Sequence, residues 1–155
     1  MPAAADAFLE GLVGEWIGRG NGVRHPGAPL EKVYCRITNV SVENGAVLKQ
    51  EGRCAFGNET GALSGHIRAL GDGRYDGTMN SPVMQGAASI SGASDGKRLL
   101  LDAGYEDTIT GRPARSYITL SLVAEGEYRM LTTATDAATG EPMQSSEILF
   151  RRKQP

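Results

Sequence analysis

The sequence has few of the residues that build metal sites or disulfide scaffolds. Its 155 residues include two cysteines, Cys35 and Cys54, and two histidines, His25 and His66. Two cysteines are too few for a disulfide framework. Two histidines cannot make a histidine-rich metal site. We therefore expect neither a metal nor a cofactor.

The sequence also lacks a dominant charge and a long apolar run. It has 16 Lys and Arg against 18 Asp and Glu, a formal net charge of −2, which gives no electrostatic reason to expect nucleic acid or an anionic membrane. No apolar run approaches the roughly 18 residues of a membrane-spanning helix. Residues 1–12 do not follow the pattern of an export signal. We expect a cytoplasmic protein folded as one domain over 1–155.

Glycine is abundant, with 21 copies that fall mostly between short alternating segments, as a β-protein with many tight turns requires. Residues 5–12 are the exception, because Phe8, Leu9 and Leu12 share one side of two helical turns and predict a short helix. From Gly14 onward the period is two, so 14–153 predicts about ten strands.

The strongest turn signal is Asn44-Gly45, which predicts a type I′ hairpin. In that register opposing residue numbers sum to 89, so Cys35 faces Cys54 and Asn39 faces Gln50 on the less charged face, which we assign to the interior. A regular two-residue hairpin makes the cysteines a hydrogen-bonded pair with diverging side chains. We expect two free, buried thiols, with a disulfide as the alternative.

Three further turns predict hairpins. Asp72-Gly73 places His66 opposite Met79, Asp95-Gly96 places Ile90 opposite Leu101, and Glu125-Gly126 turns a fourth pair. A last turn is predicted over 136–140. Sequential hairpins without a long crossover favour an up-and-down antiparallel barrel over a sandwich.

The segment Leu12-Val13-Gly14-Glu15-Trp16 resembles the G-x-W start of lipocalin-like (calycin) barrels. That resemblance implies that Trp16 lies at the closed end of the barrel, with a basic residue of the last strand over its ring. Arg151 and Arg152 are the candidates, and we expect all three residues to be structural.

Further motifs resemble a bacterial lipocalin-like family. They are 44–48, Glu51-Gly52, 75–79 and a last strand that ends in two arginines, and they imply a fold rather than an activity. More distantly, residues 16–22 resemble the W-x-G-x-G-x-G strand of haem-binding nitrobindins. The final-strand histidine that ligates haem there corresponds to Gln144 or Ser145 here, so haem binding does not carry over.

A barrel of about ten strands is too wide for small inward side chains to fill, and positions such as Gly52, Gly86, Ala88, Gly92 and Ala103 are small. We therefore expect a lumen that binds a small hydrophobic or amphipathic molecule. The candidate ligand-binding residues are Asn39, Gln50, Cys54, His66, Met79, Met84, Tyr105 and Met130.

Two alternatives stay open. One is an enzyme acting on a small hydrophobic substrate, which needs a titratable lumen residue with a hydrogen-bonded partner. No nucleophile or acid–base motif favours it, so we predict no catalytic residues and a non-enzyme. The other is an interaction module with a filled barrel, for which a homodimer is one possibility.

Overall fold

The computed structural model describes residues 6–23, 28–80, 84–107, 111, 113–135 and 142–153, with the backbone alone at 84–86, 107, 135 and 142–144. Two predictions fall outside the described residues, namely His25 and the turn over 136–140. The side chain of Met84 is also outside them, and Gly86 is described by its backbone. Among the described residues, no helix has the length and apolarity needed to cross a membrane.

Ten antiparallel strands form a closed barrel in sequence order, with β1 paired to β10, so the predicted all-β up-and-down barrel is confirmed. The helix α1 spans Ala7–Glu10, shorter than the predicted 5–12. The strands are β1 Gly14–Gly22, β2 Glu31–Val42, β3 Val47–Phe56, β4 Glu59–Gly71, β5 Arg74–Asn80, β6 Met84–Ser94, β7 Arg98–Asp107, β8 Pro113–Ala124, β9 Glu127–Thr135 and β10 Pro142–Arg152.

The helix caps one end of the barrel, which we call the helix end. Asp6 caps α1 through its side chain, which accepts from Leu9 N at 2.9 Å, and Asp6 N donates to Gly45 O in the β2–β3 turn at 3.1 Å. The β4–β5, β6–β7 and β8–β9 turns lie at this end too, because the strands alternate in direction. We call the opposite part of the barrel the distal half.

The register of the first hairpin is confirmed, with Cys35 opposite Cys54 and Asn39 opposite Gln50. Asn44 and Gly45 both have positive φ, and Ala46 N donates to Glu43 O, as a type I′ turn requires. Glu43 also has a positive φ of 51° and is therefore outside the strand conformation. Four residues, 43–46, separate β2 from β3.

The prediction of free thiols is wrong, because Cys35 and Cys54 form a disulfide. Their Cα atoms are 4.0 Å apart, which is close to the spacing of a non-hydrogen-bonded pair rather than the wider hydrogen-bonded one. The length of the loop explains why the cysteines are not a hydrogen-bonded pair. A four-residue loop keeps the same residues opposite each other, but the pairs that would be hydrogen-bonded after a two-residue loop become non-hydrogen-bonded. The side chains then converge instead of diverging.

The predicted register of the second hairpin is wrong by one residue. A bulge between Ala69 and Gly71 pairs His66 with Thr78 and Met79 with Gly65. A one-residue shift moves a side chain to the other face of the sheet, so Met79 faces the lumen while His66 faces outward. In the third hairpin Ile90 pairs with Ala103 rather than Leu101, a shift of two that keeps both side chains inside.

Candidate functional site

The helix end of the lumen is filled by aromatic rings. Trp16 and Tyr128 meet edge to face at 4.7 Å, and Tyr128 stacks on Phe150 at 4.6 Å. The three rings are each about 2% exposed. Arg152 lies over the Trp16 ring at 4.7 Å, whereas Arg151 lies on the outer face and pairs with Glu127 at 3.1 Å.

The polar groups at the helix end bond to one another. Asn39, 1% exposed, donates from Nδ2 to Leu12 O at 2.9 Å and accepts from Gln50 Nε2 at 3.0 Å. Trp16 Nε1 donates to the same carbonyl at 2.8 Å. These bonds involve the two amide side chains that the sequence assigns to a ligand. Asn39 holds Leu12 of the N-terminal segment, and Gln50 in turn holds Asn39.

Burial also changes the acidity of the helix end. Desolvation raises the pKa of Tyr128 well above its usual range, against a smaller lowering effect of a hydrogen bond with Asn39. Desolvation likewise raises the pKa of Tyr75, whose hydroxyl donates to both Asp6 carboxylate oxygens at 2.8 and 3.0 Å, and this carboxylate adds to the shift. Both hydroxyls therefore stay protonated at neutral pH.

The distal half of the lumen has smaller and less buried side chains. Ala88 and Ala103 are fully buried, and their small side chains fill little of the lumen. Leu63, Met79 and Tyr105 face the lumen there and are only half-buried. Met130, which lies midway along the barrel between Leu120 and Ile148, is half-buried as well.

One hydrogen-bonded pair stands out in the distal half. Tyr105 Oη and Ser116 Oγ are 2.9 Å apart, and Ser116 is one of two buried polar residues among those described, with 4% exposure. Sequence reasoning missed Ser116. The signal was its alternation with the inward-facing Ile118 and Leu120 along β8.

The disulfide also lies on the inner face of the distal half. Cys35 is 1% exposed and Cys54 is half-buried. Next to it Phe56 reaches across the mouth towards β1, where a Cβ on Gly22 would lie 3.0 Å from its ring.

His66 lies apart from the other candidates. It shares the outer face with its strand neighbours Lys49 and Thr78, and its Nδ1 is 3.2 Å from Thr78 Oγ1. It belongs to a shallow outer groove of about 430 Å³ that also includes Arg68 and Glu51. The other candidate residues with described side chains lie on the inner face, Asn39 and Gln50 towards the helix end and Cys54, Met79 and Tyr105 in the distal half.

Two of the glycines that the sequence counts as unfilled lumen have a different role. A Cβ on Gly92 would overlap Leu100 O, and a Cβ on Gly52 would overlap Arg36 O. These positions are glycine because neighbouring strand backbones approach closely there, so they do not add to the space inside the barrel.

Within the described part of the chain, no group of three or more His, Cys, Asp or Glu residues is placed to hold a metal ion. No protein-family model matches this sequence, and a search of curated proteins finds no significant match.

Proposed function

We propose that this chain is a lipocalin-like, non-enzymatic binding protein that holds a small hydrophobic or amphipathic molecule in the distal half of its barrel. The observation that carries the proposal is the contrast in burial along the lumen. Trp16, Tyr128 and Phe150 are almost fully buried, whereas Met79 and Tyr105 face the same lumen and are half-buried. A ligand that covers half-buried apolar side chains removes their surface from water, which contributes favourably to the free energy of binding.

The chemistry of the wall supports an apolar ligand with a neutral polar group. Methionine adapts to irregular apolar shapes, and Met79 and Met130 flank the space. The Tyr105 and Ser116 hydroxyls provide one donor and one acceptor for a hydroxyl or carbonyl group. Away from the rim, the described inner-face side chains of the distal half are uncharged, which disfavours an ionised head group.

The same composition does not favour the enzyme alternative. A general acid or base has to lie in the lumen within hydrogen-bond reach of the substrate, and His66 lies on the outer face. Away from the rim, Tyr105 is the titratable group that the described distal half presents to the lumen, and its bond partner is a serine hydroxyl.

The proposed location needs adjustment. Disulfides persist in oxidising compartments and are rare in the cytosol, so the Cys35–Cys54 bond weighs against the predicted cytoplasmic setting. We propose a compartment in which this disulfide is kept oxidised, and a small molecule as partner.

Binding is tested with N-phenyl-1-naphthylamine, a neutral apolar dye whose fluorescence rises in apolar surroundings. We expect saturable fluorescence with one site per chain, and displacement by decanol more readily than by decanoate. Met79→Glu is expected to weaken dye binding at least tenfold, because the carboxylate enters the lumen. Asn80→Glu, one residue along on the outer face, is the matched control and is expected to bind as the unaltered protein does.

Met79→Gln keeps the test decisive if the glutamate variant does not fold, because a neutral amide perturbs the core less. Absence of saturable dye binding by the unaltered protein overturns the proposal. Equal weakening by the substitutions at 79 and 80 overturns the assignment of the site to the lumen.

A further inference from the structure

An arginine pair lies on the outer face of the barrel, directly behind the disulfide. Arg36 of β2 is opposite Arg53 of β3, and the adjacent pair in the same ladder is Cys35 and Cys54. Like charges directly opposite each other in a sheet are destabilising. The disulfide fixes the two strands at this point, so the arginines cannot move apart by a slip in register.

Neither arginine is neutralised by the described residues. Both side chains are exposed, and no described carboxylate forms an ion pair with either of them. The nearest acid along β3 is Glu51, whose carboxylate is 3.8 Å from Lys49 Nζ. Some exposed arginines elsewhere on the barrel do have a carboxylate partner, as Arg115 does with Asp102 at 2.8 Å.

A third positive charge lies close by. Arg19 on β1 pairs with Tyr34 on β2, and its guanidinium lies over the Tyr34 ring at 5.3 Å. Tyr34 is two residues from Arg36 on the same face, so Arg19 is positioned beside the pair by an aromatic ring instead of a carboxylate. Three arginines therefore lie close together on this face of a chain whose formal net charge is −2.

We propose that Arg36 and Arg53 form a clamp for a doubly charged oxyanion, namely a phosphate group. Two guanidinium groups match two negative charges, and each presents a planar fork of donors that fits the oxygens of a phosphate. The anion also removes the repulsion between the two arginines. This site is on the outside of the barrel and is independent of the ligand proposed for the lumen.

The clamp is tested by titrating the nitrogen-15-labelled protein with sodium phosphate at constant ionic strength, with sodium chloride as the balancing salt. We expect saturable shifts of the Arg36 and Arg53 amide and guanidinium signals. Arg36→Gln and Arg53→Gln are each expected to weaken phosphate binding about tenfold, because hydrogen bonds to a charged group are lost. Arg74→Gln, on the outer face of β5, removes the same charge elsewhere and is expected to change nothing.

A parallel titration with phenyl phosphate separates the two sources of the group. Binding at least as tight as that of inorganic phosphate assigns the site to a phosphate carried on a larger molecule, and weaker binding assigns it to the free ion. Shifts that stay linear and spread over many arginines overturn the proposal. So does an Arg74→Gln variant that weakens binding as much as Arg53→Gln.

A thermal measurement gives a second readout. Sulfate, which is also doubly charged, is expected to raise the melting temperature of the unaltered protein above that in chloride at the same ionic strength. Sulfate also stabilises folded proteins in general, so the increase is expected to be smaller in Arg53→Gln than in the unaltered protein and to be kept in full in Arg74→Gln. An equal increase in all three proteins contradicts the clamp.

Discussion

The two ends of the lumen use the same inner face for different purposes. At the helix end three packed rings and a network of amides and carbonyls leave almost no exposed surface. In the distal half alanine, serine and a disulfide replace the rings, and Met79 and Tyr105 keep part of their surface accessible. The helix end therefore stabilises the fold by close packing, and the distal half is the part of the lumen in which we propose that a ligand binds. The predictions below test that division, from the largest expected effect to the smallest.

Removal of a ring from the helix end is expected to have the largest effect. Trp16→Ala leaves a cavity beside Tyr128 and removes the hydrogen bond to Leu12 O, so we expect a loss of about 3–5 kcal/mol in the free energy of unfolding. Met79→Ala, in the half-buried distal wall, is expected to cost about 1 kcal/mol. Urea unfolding followed by fluorescence of tyrosine measures both. Equal losses would show that the two halves contribute alike.

The disulfide comes next. It joins residues 19 apart in sequence, and the chain-entropy relation gives a stabilisation of about 3 kcal/mol for a loop of this size. Cys35→Ala with Cys54→Ala is expected to lose about that much in chemical denaturation. Dithiothreitol should lower the stability of the unaltered protein and leave the double variant unchanged. If the reductant has no effect on either protein, the disulfide does not contribute to stability.

High pH is expected to destabilise the helix end specifically. The folded-state pKa of Tyr128 is raised above that of the unfolded chain, about 10, so its contribution is complete below pH 10 and is lost as the pH rises further. The expected loss is up to about 1.4 kcal/mol per pH unit. Tyr128→Phe should reduce the dependence of unfolding free energy on pH, and Tyr75, whose pKa is raised as well, should maintain the rest. Tyr117 is 45% exposed on the outer face, so the control Tyr117→Phe should leave the dependence on pH unchanged.

The two adjacent arginines at the end of β10 provide the smallest test. Arg152→Met removes the cation over Trp16 and the bonds from Nη2 to Gly11 O and Val13 O, so we expect a loss of about 1–2 kcal/mol. Arg151→Met breaks an exposed pair with Glu127 and is expected to cost at most about 0.5 kcal/mol. Denaturant midpoints distinguish the two. A larger loss at 151 would contradict the assignment of Arg152 to the helix end.

The sequence predicted the barrel well because its signals are local. Period-two alternation and the turns at Asn44-Gly45 and Asp72-Gly73 are set by residues close together in the chain. Together, the alternation and the turns predicted about ten strands in the observed order.

The candidate site was less predictable because face assignment depends on single residues that pairing rules do not reveal. The bulge near Leu70 turned His66 outward, and the positive φ of Glu43 brought Cys35 and Cys54 together. Neither residue type signals its unusual geometry, since leucine occurs throughout strands and glutamate rarely has positive φ.

Sequence by itself determined which segments become strands, where most hairpins turn and that Trp16 opens the barrel, because these depend on side-chain alternation and on residues that tolerate positive φ. Only the tertiary structure decided that Asn39 bonds to the N-terminal segment, that Tyr105 meets Ser116 and that a disulfide forms next to the opposed Arg36 and Arg53. Those outcomes depend on the local shifts at 43–46 and near Leu70 and on how ten strands close on one another.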